Sequence, residues 1–308
     1  MCYSLIMTKH KSFFTLAIIT SLVFNVQLFA NENKFNLWGS GDVFKCTPVL
    51  DGVLFGTGAA IYGTDLILQK AMKFNQKEFD ENLFDKNDVN AFDRFFMQPY
   101  SKPLDITADI LLYTALASPA ILFATQNNSE WMTIGMMYAE TVLLAQGVKE
   151  ISKLFINRAR PYMYYEGFPE KDVYDDLDWN NSCPSGHSTM SFMSATFLSY
   201  VFCQYNPDSN WKYPVIIGSY AVAATTAILR VASGNHFPTD IILGAAIGTG
   251  IGFLVPWLHT LTANKNGNSS SGSSSRSAMY SAPMTVPAIS TRDFQVGISP
   301  FGICCTLR

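Results

Sequence analysis

Only 15% of the 308 residues are charged while 48% are hydrophobic, and the net charge is −3. A soluble domain carries about 25% charged residues, so the chain is short of the charge that covers a water-facing surface. This balance gives no electrostatic case for nucleic acid, and no basic patch alternates with aromatics.

The first element reads as a secretory signal. Lys9, His10 and Lys11 precede the apolar run FFTLAIITSLVF, and QLFA carries it to Ala30 before the polar NENK. A positive region, an apolar core and a small terminal residue are the three parts of such a signal. It is assigned to 1–30, with 31–48 as an N-terminal segment; an uncleaved membrane anchor is the alternative.

Six mostly apolar stretches follow, at 52–69, 107–125, 131–149, 189–205, 213–229 and 239–259. Each is close to the roughly 20 residues that cross a bilayer as a helix. They predict an all-α fold: a six-helix transmembrane bundle over 49–262 with the active site at one membrane face. Asp65 and Glu140 interrupt the first and third stretches, and the mean hydropathy of +0.14 is low for six spans. A compact soluble all-α domain is therefore the alternative. The small residues of SYAVAATTAIL and IILGAAIGTGIGFLVPWL suit helix packing in lipid, and Trp257 sits where an interfacial aromatic is expected.

The segment 263–308 reads as a Ser-rich linker (NKNGNSSSGSSSRSA) and a tail whose FQVGISPFGICCTLR forms a short hairpin. Cys2, Cys46, Cys183, Cys203, Cys304 and Cys305 make no CxxC pair and no zinc-ligand spacing. No metal site and no cofactor are expected.

Three short strings carry the chemistry. KEISKLFINRARPY holds Lys153 and, after six residues, Arg160 and Pro161. CPSGHSTM holds Ser185, Gly186 and His187. LRVASGNHFPTD holds Arg230, His236 and Asp240. Singly, each has a plainer reading: interfacial anchors, a turn before a helix, a histidine–aspartate contact. Together, in this order and with apolar helices between them, K-x6-RP, PSGH and R-x5-H-x3-D resemble the signature of the type 2 phosphatidic acid phosphatase and vanadium haloperoxidase superfamily, in its membrane lipid phosphatase branch. The resemblance is close over about 150–240. It departs at Leu229, where that family usually has Ser, which removes one hydroxyl contact to phosphate.

The residue types suit phosphoryl chemistry. Charge on three equatorial oxygens calls for positioning and neutralisation, which Lys153, Arg160 and Arg230 supply, the arginines with forked donors. Ser185 adds a hydroxyl, and Gly186 lets a backbone N–H approach the anion near a helix start. His236, with Asp240 one helical turn later to accept from its ring, is the expected nucleophile toward phosphorus. His187 has no acid at helical spacing and is the expected general acid, and later the base for water. No GxSxG surrounds Ser185. DLDWNNSCPSGH begins like a calcium loop, but has Asn181 where Gly is needed and His187 where Glu is needed.

The resemblance thus implies a metal-independent phosphatase that hydrolyses a phosphate monoester or diphosphate of a membrane lipid through a phosphohistidine. Its partners are the lipid phosphate and the bilayer, with oligomeric state left open. A soluble periplasmic nonspecific acid phosphatase and a vanadate-dependent haloperoxidase are the alternatives within the same superfamily. The expected location is a bacterial-type inner membrane with the site facing the periplasm, which requires 52–69 not to span. QNNSE at 126–130 lacks Lys and Arg and looks external, which argues for the opposite face.

Overall fold

A computed structural model describes residues 39–72, 84–170, 178–263, 294–299 and 302–307. The signal at 1–30 and most of the Ser-rich linker lie outside the described residues.

Helix α1, Pro48–Leu66, opens with Pro48 at its first position and the Thr47 hydroxyl accepting from the Leu50 N–H at 3.3 Å. It continues as a π-helical turn, Ile67–Ala71. The short α2, Ala91–Phe96, is capped by Asn90. Helix α3, Lys102–Ala117, runs through a 3-10 turn into α4, Ile121–Thr125. Helix α5 is Trp131–Ile156, α6 is Gly186–Tyr205, α7 is Lys212–Ala232 and α8 is Pro238–Thr262. The tail pairs Phe294–Ser299 (β1) with Gly302–Leu307 (β2) as an antiparallel hairpin, Phe294 opposite Leu307.

Each of the six apolar stretches is helical, the first running from α1 into the π-helical turn and the second from α3 through the 3-10 turn into α4. Three of these are long and apolar enough to cross a membrane among the described residues: Lys102–Thr125, Lys212–Ala232 and Pro238–Thr262, with mean hydropathy 1.7, 1.7 and 2.0. The expectation of six spans therefore narrows to a helical body with three candidates. Helices α1 and α5 carry Asp51, Asp65, Glu140, Lys149, Glu150 and Lys153, each costly in hydrocarbon. Helix α6 is rich in Ser and Thr, and most of its residues are buried within the protein.

Those hydroxyls are tolerated inside because each finds a partner. Thr189 donates to the Ser185 carbonyl at 2.8 Å, Ser191 to the His187 carbonyl at 2.7 Å and Ser188 across to the Ile241 carbonyl at 2.8 Å. Helix α8 lies against α6 through a glycine stripe, Gly244, Gly248 and Gly252. A Cβ at Gly248 would stand 2.1 Å from the Thr189 carbonyl oxygen, so the two backbones are in contact there.

The body has two chemically distinct ends. At one, α5 and α7 finish while α3, α6 and α8 begin. At the other, Asp51 at the start of α1 reaches His259 near the end of α8. Helix α1 runs alongside α5 from that far end until Asp65 and Gln69 line a cavity with Lys153.

Candidate active site

The three strings meet at the first of these ends because each sits at a helix terminus. Helix α5 stops at Asn157, which takes a left-handed conformation (φ 46°) and donates its N–H to the Lys153 carbonyl at 2.8 Å. The chain then turns, and Arg160 reaches Asp178 and His236. Ser185 caps α6 while its own N–H donates to the Asp240 carbonyl at 3.0 Å, joining the second string to the third. The third string closes through Gly234, at φ +74°, where a Cβ would lie 2.6 Å from the carbonyl oxygens of Gln98 and Pro99. Only glycine fits that crossing.

His236 is the centre of the cluster, 2% exposed. Its Nδ1 lies 2.6 Å from the Ser182 carbonyl oxygen and its Nε2 lies 3.3 Å from Arg160 Nη1. Since a carbonyl only accepts and a guanidinium only donates, Nδ1 carries the hydrogen and Nε2 the lone pair. Burial, with Arg160, Arg230 and Lys153 close by, holds the imidazole well below its ordinary pKa.

Asp240 does not play the part expected of it. Its Oδ2 is 4.0 Å from His236 Nδ1, beyond hydrogen-bond reach. The carboxylate instead accepts from Arg158 at 2.6 Å, from the Ser182 hydroxyl at 2.6 Å and from the Phe237 N–H at 2.9 Å. Its hold on His236 is indirect, through Ser182, whose backbone carbonyl takes the ring hydrogen. Asp93 completes this cradle, accepting from Arg158 at 2.7 Å and the Thr239 hydroxyl at 2.6 Å. Burial opposes its charge, yet the bonds from Thr239, Arg158 and Asn90 hold its carboxyl below the usual range.

The cations are present, and each has a carboxylate beside it. Arg160 binds the Asp178 carboxylate through Nη2 and the Asp178 carbonyl through Nε at 2.9 Å. Arg230 pairs with Asp105, which also accepts from Asn235 at 3.1 Å and Tyr100 at 2.9 Å. Arg230 Nε, buried, has no hydrogen-bond partner. Lys153 stands 3.6 Å from Glu150 at the rim of a cavity of about 380 Å³, together with Asp178, Asn181 and Tyr62. Burial works against the Asp178 charge, but Arg160 and Lys153 hold its carboxyl below the usual range.

His187 at the start of α6 has an acidic partner after all. Asp109 on α3 lies 2.6 Å from its Nε2. Burial nevertheless pushes the imidazole down to about 4. The space before the Gly186 Cα holds Lys149, whose Cδ and Nζ would lie 3.1 and 3.4 Å from an added Cβ. Sequence reasoning passed over Asp105, Asp109, Asp178, Lys149 and Arg158. The signal for the first two was two acids four residues apart at the start of an apolar helix.

Residues 134–263 match the PAP2 superfamily, a range that includes every candidate residue of the three strings. Among curated relatives, a lipid A 1-phosphatase of Porphyromonas gingivalis is 35% identical over 81 residues, 26% of this chain and 17% of that one. Lipid phosphate phosphatase 1 of Arabidopsis thaliana is 30% identical over 135 residues, 38% of this chain and 41% of the relative. The chain thus spans less than half the length of these two relatives. A solved transmembrane PAP2-type phosphatidylglycerolphosphate phosphatase from Bacillus subtilis aligns with 68% of this chain and 94% of its own, at 21% identity and a TM-score of 0.37.

Proposed function

From the match of residues 134–263 to the PAP2 superfamily we propose that the chain hydrolyses a phosphate monoester or diphosphate of a membrane lipid through a phosphohistidine on His236. One observation carries the reading. His236 Nε2 holds a lone pair beside Arg160, inside a buried cluster of cations that includes the unpartnered Nε of Arg230.

In this reading the phosphoryl oxygens displace carboxylates from Arg160 and Arg230, and Lys153 supplies the third cation from the cavity wall. His236 Nε2 attacks phosphorus while the Ser182 carbonyl holds Nδ1–H and offsets the positive charge the ring gains. His187 protonates the leaving alkoxide, and then takes a proton from the water that cleaves the phosphohistidine. Asp109 orients that ring and favours its charged form. The cations neutralise the developing charge without a metal ion at phosphorus. The lipid half of the proposal draws on the three apolar helices and on the names of the relatives. It is supported also by α2, which exposes Phe92 and Phe95 beside the catalytic end, a suitable surface for a membrane interface.

The proposed location is an inner membrane with the catalytic end toward the periplasm, on condition that α1 stays out of the hydrocarbon; Asp51 and Asp65 support this. The extent of α1 along α5 is the contrary observation. Labelling an introduced cysteine near position 170 in intact cells decides the side.

The reading is tested with the full chain purified in detergent. Phosphatidic acid in mixed micelles releases inorganic phosphate, vanadate blocks the release, and turnover measured at once after EDTA treatment is unchanged. Acid-free quenching with radiolabelled substrate leaves label on wild-type protein and none on His236→Ala. Turnover lost to EDTA and restored by magnesium, or label retained by His236→Ala, would overturn it.

A further inference from the structure

The end of the body away from the cations gathers a second set of buried polar groups. His259, on the last turns of α8, is fully buried. Its Nδ1 lies 2.9 Å from the Val255 carbonyl oxygen, which fixes a hydrogen on Nδ1 and leaves Nε2 as the nitrogen that carries a lone pair in the neutral ring. Nε2 faces two acids: Asp51 Oδ1 at 3.1 Å and Glu140 Oε2 at 3.3 Å. Ligating atoms of Cys46, Asp51 and His259 all lie within 4.8 Å of one another. Glu140 is buried, and both its carboxylate oxygens lack a hydrogen-bond partner.

A lone pair facing two ionised carboxylates is repulsive, and a cation between them, or a proton on the ring or on Glu140, relieves it. We propose that Cys46, Asp51 and His259 form a structural site for a zinc-like divalent cation, with the Glu140 carboxylate beside His259 to complete it. A tetrahedral ion with bonds of roughly 2.0–2.3 Å sets its ligand atoms about 3.3–3.8 Å apart, and the three ligand atoms here lie within 4.8 Å of one another, a cluster that small shifts bring to that spacing. Sulfur, imidazole and carboxylate together suit a borderline ion better than calcium or magnesium, which take oxygen. The Nδ1–H to Val255 bond is the orienting contact that metal-bound histidines ordinarily make. Lys45, the residue before Cys46, is tied to α8 twice, its N–H donating to the His259 carbonyl at 3.1 Å and Thr262 donating to its carbonyl at 2.7 Å. Cys46 and Asp51 lie outside the 134–263 match, so the site joins the N-terminal helix to the catalytic body. The cation would lie roughly 28 Å from Asp240, nineteen positions back along α8 at 1.5 Å per residue. It therefore takes no part in phosphoryl transfer.

The competing arrangement is a doubly protonated His259 bridging the two acids with no metal. Elemental analysis separates them. The full chain, loaded with zinc in detergent and desalted, should retain one zinc per chain. Cys46→Ser and His259→Gln should lower zinc affinity by more than the about 10–100-fold carried by outer-sphere partners, while phosphatase activity is kept. Cobalt loading should give the intense visible absorption of a four-coordinate site, with a thiolate band absent from Cys46→Ser. Stripping the wild type with a strong chelator should lower its melting temperature by several degrees, and zinc should restore it. Should either variant fold poorly, the cobalt spectrum of the wild type still decides. Wild-type protein that retains no zinc and shows no thiolate–cobalt band would overturn the proposal, as would retention by both variants equal to that of the wild type. Neither result bears on hydrolysis at His236.

Discussion

Among the described residues, the buried side-chain polar atoms that lack a hydrogen-bond partner fall at the two opposite ends of the body. Arg230 Nε lies at one, and the two oxygens of Glu140 at the other. The first is an orphaned donor among cations, and the second an orphaned acceptor among acids. A buried unpaired group is costly enough to require a reason. The pairing of opposite defects points to opposite ligands, an anion at the catalytic end and a cation at the far end. At the catalytic end the carboxylates are paired with cationic or imidazole groups. Asp105, Asp109 and Asp178 stand beside Arg230, His187 and Arg160, and offset the charge until a phosphate takes their place.

The comparison breaks most sharply by substitution at one end with a readout at the other. His236→Ala should reduce turnover of every substrate to background while leaving zinc retention untouched; loss of both would mean that the ends are not independent. His187→Ala should cost about 10²–10⁴-fold on lipid substrates, whose alkoxides leave poorly. It should cost far less on nitrophenyl phosphate, which leaves without a proton, so equal losses in the two assays would strip His187 of its role. Arg160→Lys should lower kcat/KM by roughly 10²-fold, because a point charge replaces a fork that serves Asp178, Asn235 and His236 together. Near-normal kinetics would remove Arg160 from the site. Asp240→Asn should cost less, roughly 10-fold in kcat, about the worth of one charge-assisted hydrogen bond. Asp240 acts on His236 only by positioning Ser182, and a loss equal to that of His236→Ala would contradict this geometry.

The catalytic end was legible in the sequence to the extent that its residues travel in short strings. Lys153 and Arg160, the Ser185–His187 run, and Arg230 with His236 each carry their own spacing, and the helices between them set which termini meet. Single residues gave no such signal. Asp109 reaches His187 from 78 positions away and Arg158 reaches Asp240 from 82, separations that no local pattern encodes. The expected His236–Asp240 contact failed because Phe237 and Pro238 start α8 between them. The carboxylate turns back to cap its own helix at Phe237 N–H, 2.9 Å away. The far end was illegible for the same reason in stronger form. Cys46, Asp51, Glu140 and His259 come from a loop and three helices, so the cysteine spacing suggested no metal. The helices themselves were readable as apolar runs. Their capacity to span was not, because α1, α5 and α6 keep polar residues that only neighbouring helices make tolerable.

The smallest expected effect concerns pH, and it tests the link between Asp109 and His187. As general acid, His187 must carry a proton, and burial pushes it down to about 4 against the pull of the Asp109 carboxylate. His236 must be neutral, and burial with the surrounding cations holds it well below its ordinary value, which favours the neutral ring as the pH falls below that value. The kcat/KM for a lipid phosphate, which reports the free enzyme, should therefore rise as pH falls from neutrality toward about 4. Asp109→Asn removes the charge that favours the imidazolium, so its limb should move to lower pH. At neutrality each unit of that shift costs about 10-fold. The ionisation of the substrate is common to both enzymes and cancels in the ratio of their profiles. Nitrophenyl phosphate, indifferent to the His187 proton, should show nearly superimposable profiles for the two. A limb at the ordinary histidine value in both enzymes, unmoved by the substitution, would mean that Asp109 does not govern the proton.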